Sequence, residues 1–192
     1  MARQKGLSFY RRKKKISSAL LKEIFSWIFG VLVAIFIGIF VVRFYGMTTT
    51  VVGDSMEKSL YNGQKVLIDS LRYVFSSPKQ GDVVVFLPNG NEKAHYYIKR
   101  VVAVPGDTVI IENGALYVNG ERVEWIEERI LDPGIAKNIQ DLEKGEYFCV
   151  GDNINNSEDS RSANLGPVNV EDIIGYVWFG LKCDEAGTGF VK

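Results

Sequence analysis

Nineteen consecutive residues, Ile24 to Val42 (IFSWIFGVLVAIFIGIFVV), contain no ionisable side chain. As a helix rising about 1.5 Å per residue they span roughly 28 Å, close to the hydrocarbon thickness of a bilayer. A soluble helix packs one stripe and shows water a polar face; this run has no polar face to show. Gly30 and Gly38 are compatible with a membrane helix, and Trp27 and Tyr45 stand near its ends, where amphipathic rings favour the interface. The run exceeds the roughly 7–15 apolar residues of a cleaved leader, and Arg43-Phe44-Tyr45-Gly46-Met47 offers no small-residue cut site. The expectation is an uncleaved anchor that touches membrane lipid.

Its flanks differ in charge. Residues 1–23 hold eight basic side chains (Arg3, Lys5, Arg11–Lys15, Lys22) against one acidic, Glu23; residues 44–192 hold 14 basic against 22 acidic. The formal net charge of zero therefore hides a basic tail on an acidic body. That balance excludes a uniformly basic nucleic-acid binder and an acidic disordered chain. Lys and Arg beside an apolar span stay on the cytoplasmic side. The expected organisation is a cytoplasmic tail over 1–23, a transmembrane anchor over 24–42 and an extracytoplasmic domain over 43–192, with no nucleic-acid partner.

Beyond Met47 the pattern changes to short runs of Val, Ile, Tyr and Phe punctuated by Gly and Asn. Strands are predicted over Lys65–Asp69, Asp82–Leu87, Tyr96–Val104, Thr108–Glu112, Ala115–Val118, Glu121–Trp125, Tyr147–Val150 and Ile173–Leu181. Asn113-Gly114 and Asn119-Gly120 are two-residue hairpin signals. Glu127–Lys144, polar and interrupted by Pro133-Gly134, reads as an inserted loop or short helix. The fold class is mainly β, with a barrel-like or coiled antiparallel arrangement rather than a βαβ array.

Phosphate-loop, dinucleotide and zinc-protease motifs are missing. Asp152-Asn153-Ile154-Asn155-Asn156 lacks the ligand spacing of a calcium loop, because Ile154 occupies a ligand position. No metal or cofactor is expected. Cys149 and Cys183 either pair or stay free; their separation is not readable from sequence.

Three clusters carry chemistry: Gly53–Leu60 with Ser55, Tyr96–Asp107 with Lys99, and Gly151–Arg161 with Ser157, Asp159 and Arg161. Taken singly, they read as a turn, an edge strand whose lysine reaches water along its stem, and a polar loop. Taken together, they read as a nucleophile, its base and their support. A serine hydroxyl needs a base, and the chain has one His, His95, read as a bystander. Lysine serves if burial makes it neutral, because desolvation disfavours the ammonium. In Tyr97-Ile98-Lys99-Arg100-Val101-Val102, alternation puts Lys99 and Arg100 on opposite faces, so one cation must share a face with normally buried neighbours.

In this order behind an anchor, the three clusters and Gly81-Asp82-Val83-Val84-Val85-Phe86 resemble the boxes of bacterial type I signal peptidases, in the single-anchor Gram-positive form. These are membrane-anchored Ser/Lys endopeptidases that remove signal peptides from exported pre-proteins. The resemblance implies coiled antiparallel sheets, Ser55 as nucleophile and Lys99 as general base. It also implies Ser157 as the serine that hydrogen-bonds the lysine amine, and Asp159 with Arg161 as a supporting ion pair. Substrate would lie as an added strand between two strands, Val51–Asp54 (Val51, Val52, Gly53, Asp54) and Tyr96–Ile98 (Tyr96, Tyr97, Ile98), with Met56 beside it. Small side chains would be accepted before the cut, in an Ala-x-Ala pattern. Its partners would be pre-proteins, with the secretion machinery nearby.

Two positions depart from the family pattern. Lys58 stands where the family has proline, which removes a backbone restraint. Gly53 stands where some members have a hydroxyl donor for the oxyanion, leaving the Ser55 N–H as the main donor. Lys58 also creates a Ser-x-x-Lys pattern as in penicillin-binding enzymes, without its companion motifs. The alternatives are an inactive tethered homologue that binds signal regions, and a self-cleaving Ser/Lys repressor, against which the anchor argues.

Overall fold

The computed structural model describes residues 17–191. It divides into two compact units that part between Phe40 and Val41. The first is helical. Helix α1 (Ser18–Tyr45) starts upstream of the apolar run, because Ser17 Oγ accepts the Leu20 N–H at 3.2 Å and caps the first turn. Ser18–Arg43 is long and apolar enough to cross a membrane. Its large apolar side chains, Trp27, Leu32 and Phe36 among them, are exposed on every side. The basic residues 3–15 lie outside the described residues.

The second unit is built of antiparallel strands. β1 (Met47–Thr50), β2 (Lys65–Asp69), β3 (Val83–Phe86), β4 (Tyr97–Ala103), β9 (Glu146–Val150), β10 (Val168–Asn169), β11 (Ile173–Gly180) and β12 (Gly189–Phe190) form one sheet. Its order is β1-β2-β11-β3-β4-β9-β10, with β12 on β11. β5 (Thr108–Glu112), β6 (Ala115–Val118), β7 (Glu121–Arg122) and β8 (Gln140–Asp141) form a second sheet in the order β7-β6-β5-β8. The mainly β, coiled antiparallel expectation holds. Shifts of register in β11 against β2 and β3, and in β4 against β9, mark where the large sheet bends.

Both predicted turns are present. Asn113 and Gly114 have φ of 54° and 80°, Asn119 and Gly120 of 52° and 81°, the two positive values a type I′ hairpin requires. β7 ends at Arg122 rather than Trp125, because Val123 and Ile126 turn inward and are buried in the core under the second sheet. β1 was not foreseen; three threonines beside the anchor give little strand pattern. Neither were a single helical turn, α2 (Arg72–Phe75), and the two-residue strands β8, β10 and β12. The 127–144 insertion contains one 3-10 turn, Gly134–Lys137, and β8.

β3 and β4 lie in the middle of the large sheet and are buried on both faces. Val83 and Val85 belong to one core cluster, Val84 and Phe86 to another. Every residue of β4 from Ile98 to Ala103 is buried. The reading of Lys99 as a lysine that reaches water along its stem is thereby corrected: the residue is 4% exposed.

Candidate active site

Ser55 lies in the loop between β1 and β2. Met56 beside it is 1% exposed and packs in the cluster that holds Leu60 and Ile98. Burying such a side chain contributes roughly 1.5–3 kcal/mol, enough to pin the residue next to the hydroxyl. The loop closes on itself through Glu57 N–H to Asp54 O (3.1 Å) and Leu60 N–H to Met56 O (2.8 Å). The third cluster clamps it from outside. Asn153 N–H donates to Ser55 O at 3.0 Å, and Asn153 Nδ2 donates to Asp54 O and Glu57 Oε2. Gly151 belongs to the same clamp, since a Cβ there would strike both Ser55 O and Ser157 Oγ.

Lys99 enters from β4, opposite Val84 of β3. It is 4% exposed, and its Nζ lies 2.5 Å from Ser55 Oγ. Burial pushes the ammonium down to about 8 from an ordinary 10.5; the carboxylates of Asp159 and Glu158 oppose the shift without cancelling it. An amine titrating there is neutral in a useful fraction of molecules near pH 7–8. The Ser55 N–H makes no hydrogen bond among the described residues and is free to serve a developing oxyanion. Gly53, at φ +80°, has open space where a Cβ would stand, so no side chain supplements that donor.

Asp159 and Arg161 form a buried two-pronged pair, Nε to Oδ1 at 2.8 Å and an Nη to Oδ2 at 2.9 Å. Arg161 also donates to the carbonyls of Asp132 and Ile154, and Asp159 Oδ2 accepts Gly151 N–H. The pair thus ties the third cluster to the 127–144 insertion. Ser157 is near but not engaged: its Oγ is buried with no hydrogen-bond partner, so the bond expected to the lysine amine is not made.

One more expectation changes, and the Ser-x-x-Lys alternative, already without its companion motifs, finds no support. Val51–Asp54 is not a strand: β1 ends at Thr50, and Gly53 leaves the extended region with its N–H held by Asn62 Oδ1. Val51 is buried and both its backbone groups are bonded, to Gln64 and Gly63. Lys58 is no base for Ser55, because its exposed amine donates to Glu128 Oε1 at 2.6 Å, a bond that raises its pKa. Its φ of +88° also lies where proline cannot go.

A cleft of about 440 Å³ runs over the dyad, lined by Val51, Val52, Gly53, Asp54, Met56, Tyr96, Tyr97 and Ile98, and also by His95, Asn156 and Glu158. His95 therefore stands on the cleft wall. β4 pairs with β3 along Tyr97–Arg100 but with β9 only from Arg100 onward. Its other edge at Tyr97–Lys99 thus has no strand partner among the described residues.

Sequence reading missed Arg100 with Asp152. Arg100 Nε donates to Asp152 Oδ1 and Nη2 to Asp152 Oδ2, each at 2.7 Å; Nη2 also reaches Ser59 Oγ, and Nη1 donates to Gly81 O. The signal was the second cation on a buried strand; its partner, 52 residues away, was invisible without the register. Asp152 is thereby an ion-pair partner. Cys149 is buried and Cys183 partly so, and both are free thiols.

A family model described as signal peptidase, peptidase S26, matches residues 24–181. Signal peptidase I P of Bacillus subtilis subsp. natto is 34% identical over 177 residues, 87% of this chain and 91% of that protein. Signal peptidase IB of Staphylococcus aureus strain COL is 33% identical over 178 residues, 82% of this chain and 89% of its own. A solved signal peptidase I of Enterococcus faecalis V583 aligns at 24% identity with a TM-score of 0.43, over 53% of this chain and 97% of that one. With a family model matching residues 24–181 and relatives 33–34% identical over more than four-fifths of it, the chain belongs to the signal peptidase family, peptidase S26.

Proposed function

We propose that this protein is a membrane-anchored serine endopeptidase that removes signal peptides from exported pre-proteins, cutting after small residues in an Ala-x-Ala pattern, with Ser55 as nucleophile and Lys99 as general base. The observation that carries the reading is the 2.5 Å approach of a buried, partner-poor amine to a hydroxyl. Neutral Lys99 takes the Ser55 proton as Oγ bonds to the scissile carbonyl carbon, and the Ser55 N–H stabilises the oxyanion. The C–N bond then breaks and Lys99 gives its proton to the leaving amine. Water repeats the cycle: Lys99 takes a water proton, hydroxide cleaves the ester, and Ser55 regains its proton.

The substrate segment adds to the unpaired edge at Tyr97–Lys99 by main-chain bonds, with Val52 and Asp54 across the cleft. Asp159 and Arg161 hold the loop that backs the lysine. Helix α1 spans the membrane, the basic residues 1–23 stay in the cytoplasm, and the β unit works on the outer side near the secretion machinery. Only the apolar length of α1 and the charge of its flank support this orientation.

The test is cleavage of a pre-protein by the full chain in detergent. Wild type cuts, while Ser55→Ala and Lys99→Ala lose about a thousandfold or more with unchanged circular dichroism. Equal cutting by all three, or none by wild type, overturns the assignment.

A further inference from the structure

The wall of the cleft carries charge that the reaction does not use. Glu158 follows Ser157 in the third cluster and lines the cleft. One of its oxygens, Oε2, accepts the Tyr97 hydroxyl at 3.1 Å, which fixes the carboxylate on β4. Its other oxygen has no protein partner among the described residues. Asp54, on the Ser55 side, also lines the cleft and is exposed, and its carboxylate makes no ion pair among the described residues. Among the lining residues the one lysine is Lys99, already set against Ser55 and neutral when it acts. An extended peptide laid here passes two carboxylates that make no ion pair among the described residues, with the Lys99 amine, on which Glu158 acts through space, and His95 as the basic groups on the same wall.

We infer that Glu158 and Asp54 select substrates by charge: the cleft favours a basic side chain, and discriminates against an acidic one, at the positions of the bound segment that do not enter the small-residue pockets. The Tyr97 bond matters because it removes much of the freedom that normally weakens an exposed carboxylate. A unit charge at about 4 Å in water-like surroundings is worth roughly a fivefold change. Replacing Lys by Glu in the substrate reverses the sign, so a ratio of about tenfold is expected after screening by salt.

This inference rests on the proposed peptidase function. Its test uses the full chain in detergent with peptides that keep Ala at the two positions flanking the variable residue before the cut, and carry Lys, Ala or Glu at that residue and, in a second set, just after the cut. Expected is a kcat/KM order of Lys over Ala over Glu in at least one set, with the Lys-to-Glu ratio near tenfold and shrinking as salt rises. Glu158→Gln, which can still accept the tyrosine hydroxyl, lowers that ratio toward one, whereas Glu158→Asp keeps most of it. Asp54→Asn lowers it further in combination. If wild type cuts Lys and Glu peptides equally in both sets at low salt, charge selection is wrong while the peptidase reading stands. If wild type cuts no peptide and no pre-protein, the peptidase reading fails and takes this inference with it. The salt series needs no variant, so a misfolded mutant does not shield the idea.

Discussion

Lys99 and Arg100 are neighbours on one strand, both buried, and the protein treats their charges in opposite ways. Arg100 keeps its charge and receives a carboxylate: both Asp152 oxygens at 2.7 Å, with Gly81 O and Ser59 Oγ taking the remaining donors. Lys99 receives a hydroxyl and apolar surroundings instead, and its proton is loosened to about 8. The difference follows from their chemistry. Guanidinium does not lose its proton in proteins, so burial forces a partner on it; ammonium does, so burial without a close partner makes a base. One face of β4 ties the Ser55 loop down through Ser59, and the other sets an amine against the Ser55 hydroxyl.

Exchanging the two roles gives the largest effects. Lys99→Arg retains a cation and forfeits the neutral state, so cleavage should fall on the order of ten-thousandfold, as low as Lys99→Ala. A fall of less than tenfold, read as kcat on a pre-protein, would mean that Lys99 is not the base.

Next is the other face. Arg100→Ala or Asp152→Ala leaves a buried charge alone and should cost about 3–5 kcal/mol, read as a drop in the denaturation midpoint of the solubilised protein. Arg100→Met with Asp152→Leu should cost much less than the two single changes summed. Additive losses would show that each group acts through other contacts.

Smaller is the stability given up for an active lysine. Folded Lys99 titrates near 8, against 10.5 for the unfolded side chain. Between those values the unfolded state binds more protons, so stability rises with pH across the window, and the penalty is full below about pH 8. That shift corresponds to roughly 3 kcal/mol. Lys99→Met should therefore be more stable than wild type at pH 7 by up to about that amount, with the advantage shrinking toward pH 10.5. In wild type, kcat/KM should fall about tenfold per unit as pH drops well below 8; a profile flat from pH 6 to 9 contradicts a base with this titration.

Smallest is the exposed pair of Lys58 and Glu128. Glu128→Gln should leave the denaturation midpoint nearly unchanged, since both groups face water. Lys58→Pro is the sharper probe of the same loop. At φ +88° proline does not fit, so this substitution should lower cleavage, while Lys58→Gly retains it. Full activity in the proline variant would show that the loop readily adopts a second conformation.

The anchor candidate, the β class and both Asn-Gly hairpins were legible along the chain because each is a local pattern: an apolar length, an alternation, a positive-φ pair. Ser55, Lys99, Asp159 and Arg161 were legible through their boxes, and the structure brings each pair together. Val51–Asp54 was misread as a strand because the turn at Gly53 is fixed by Asn62, a contact from further along the loop.

By itself the sequence determined which groups are available: one apolar span, one histidine, a serine and lysine with the right chemistry, and two adjacent cations on an apolar strand. The tertiary structure decided which charge survives. Register put Lys99 across from Val84 and Arg100 across from Val83, and the return of the 151–161 loop placed Asp152 on one cation and left the other with a hydroxyl. Both outcomes depend on contacts tens of residues apart, and desolvation and pairing act through distance in space, which alternation along a strand does not encode.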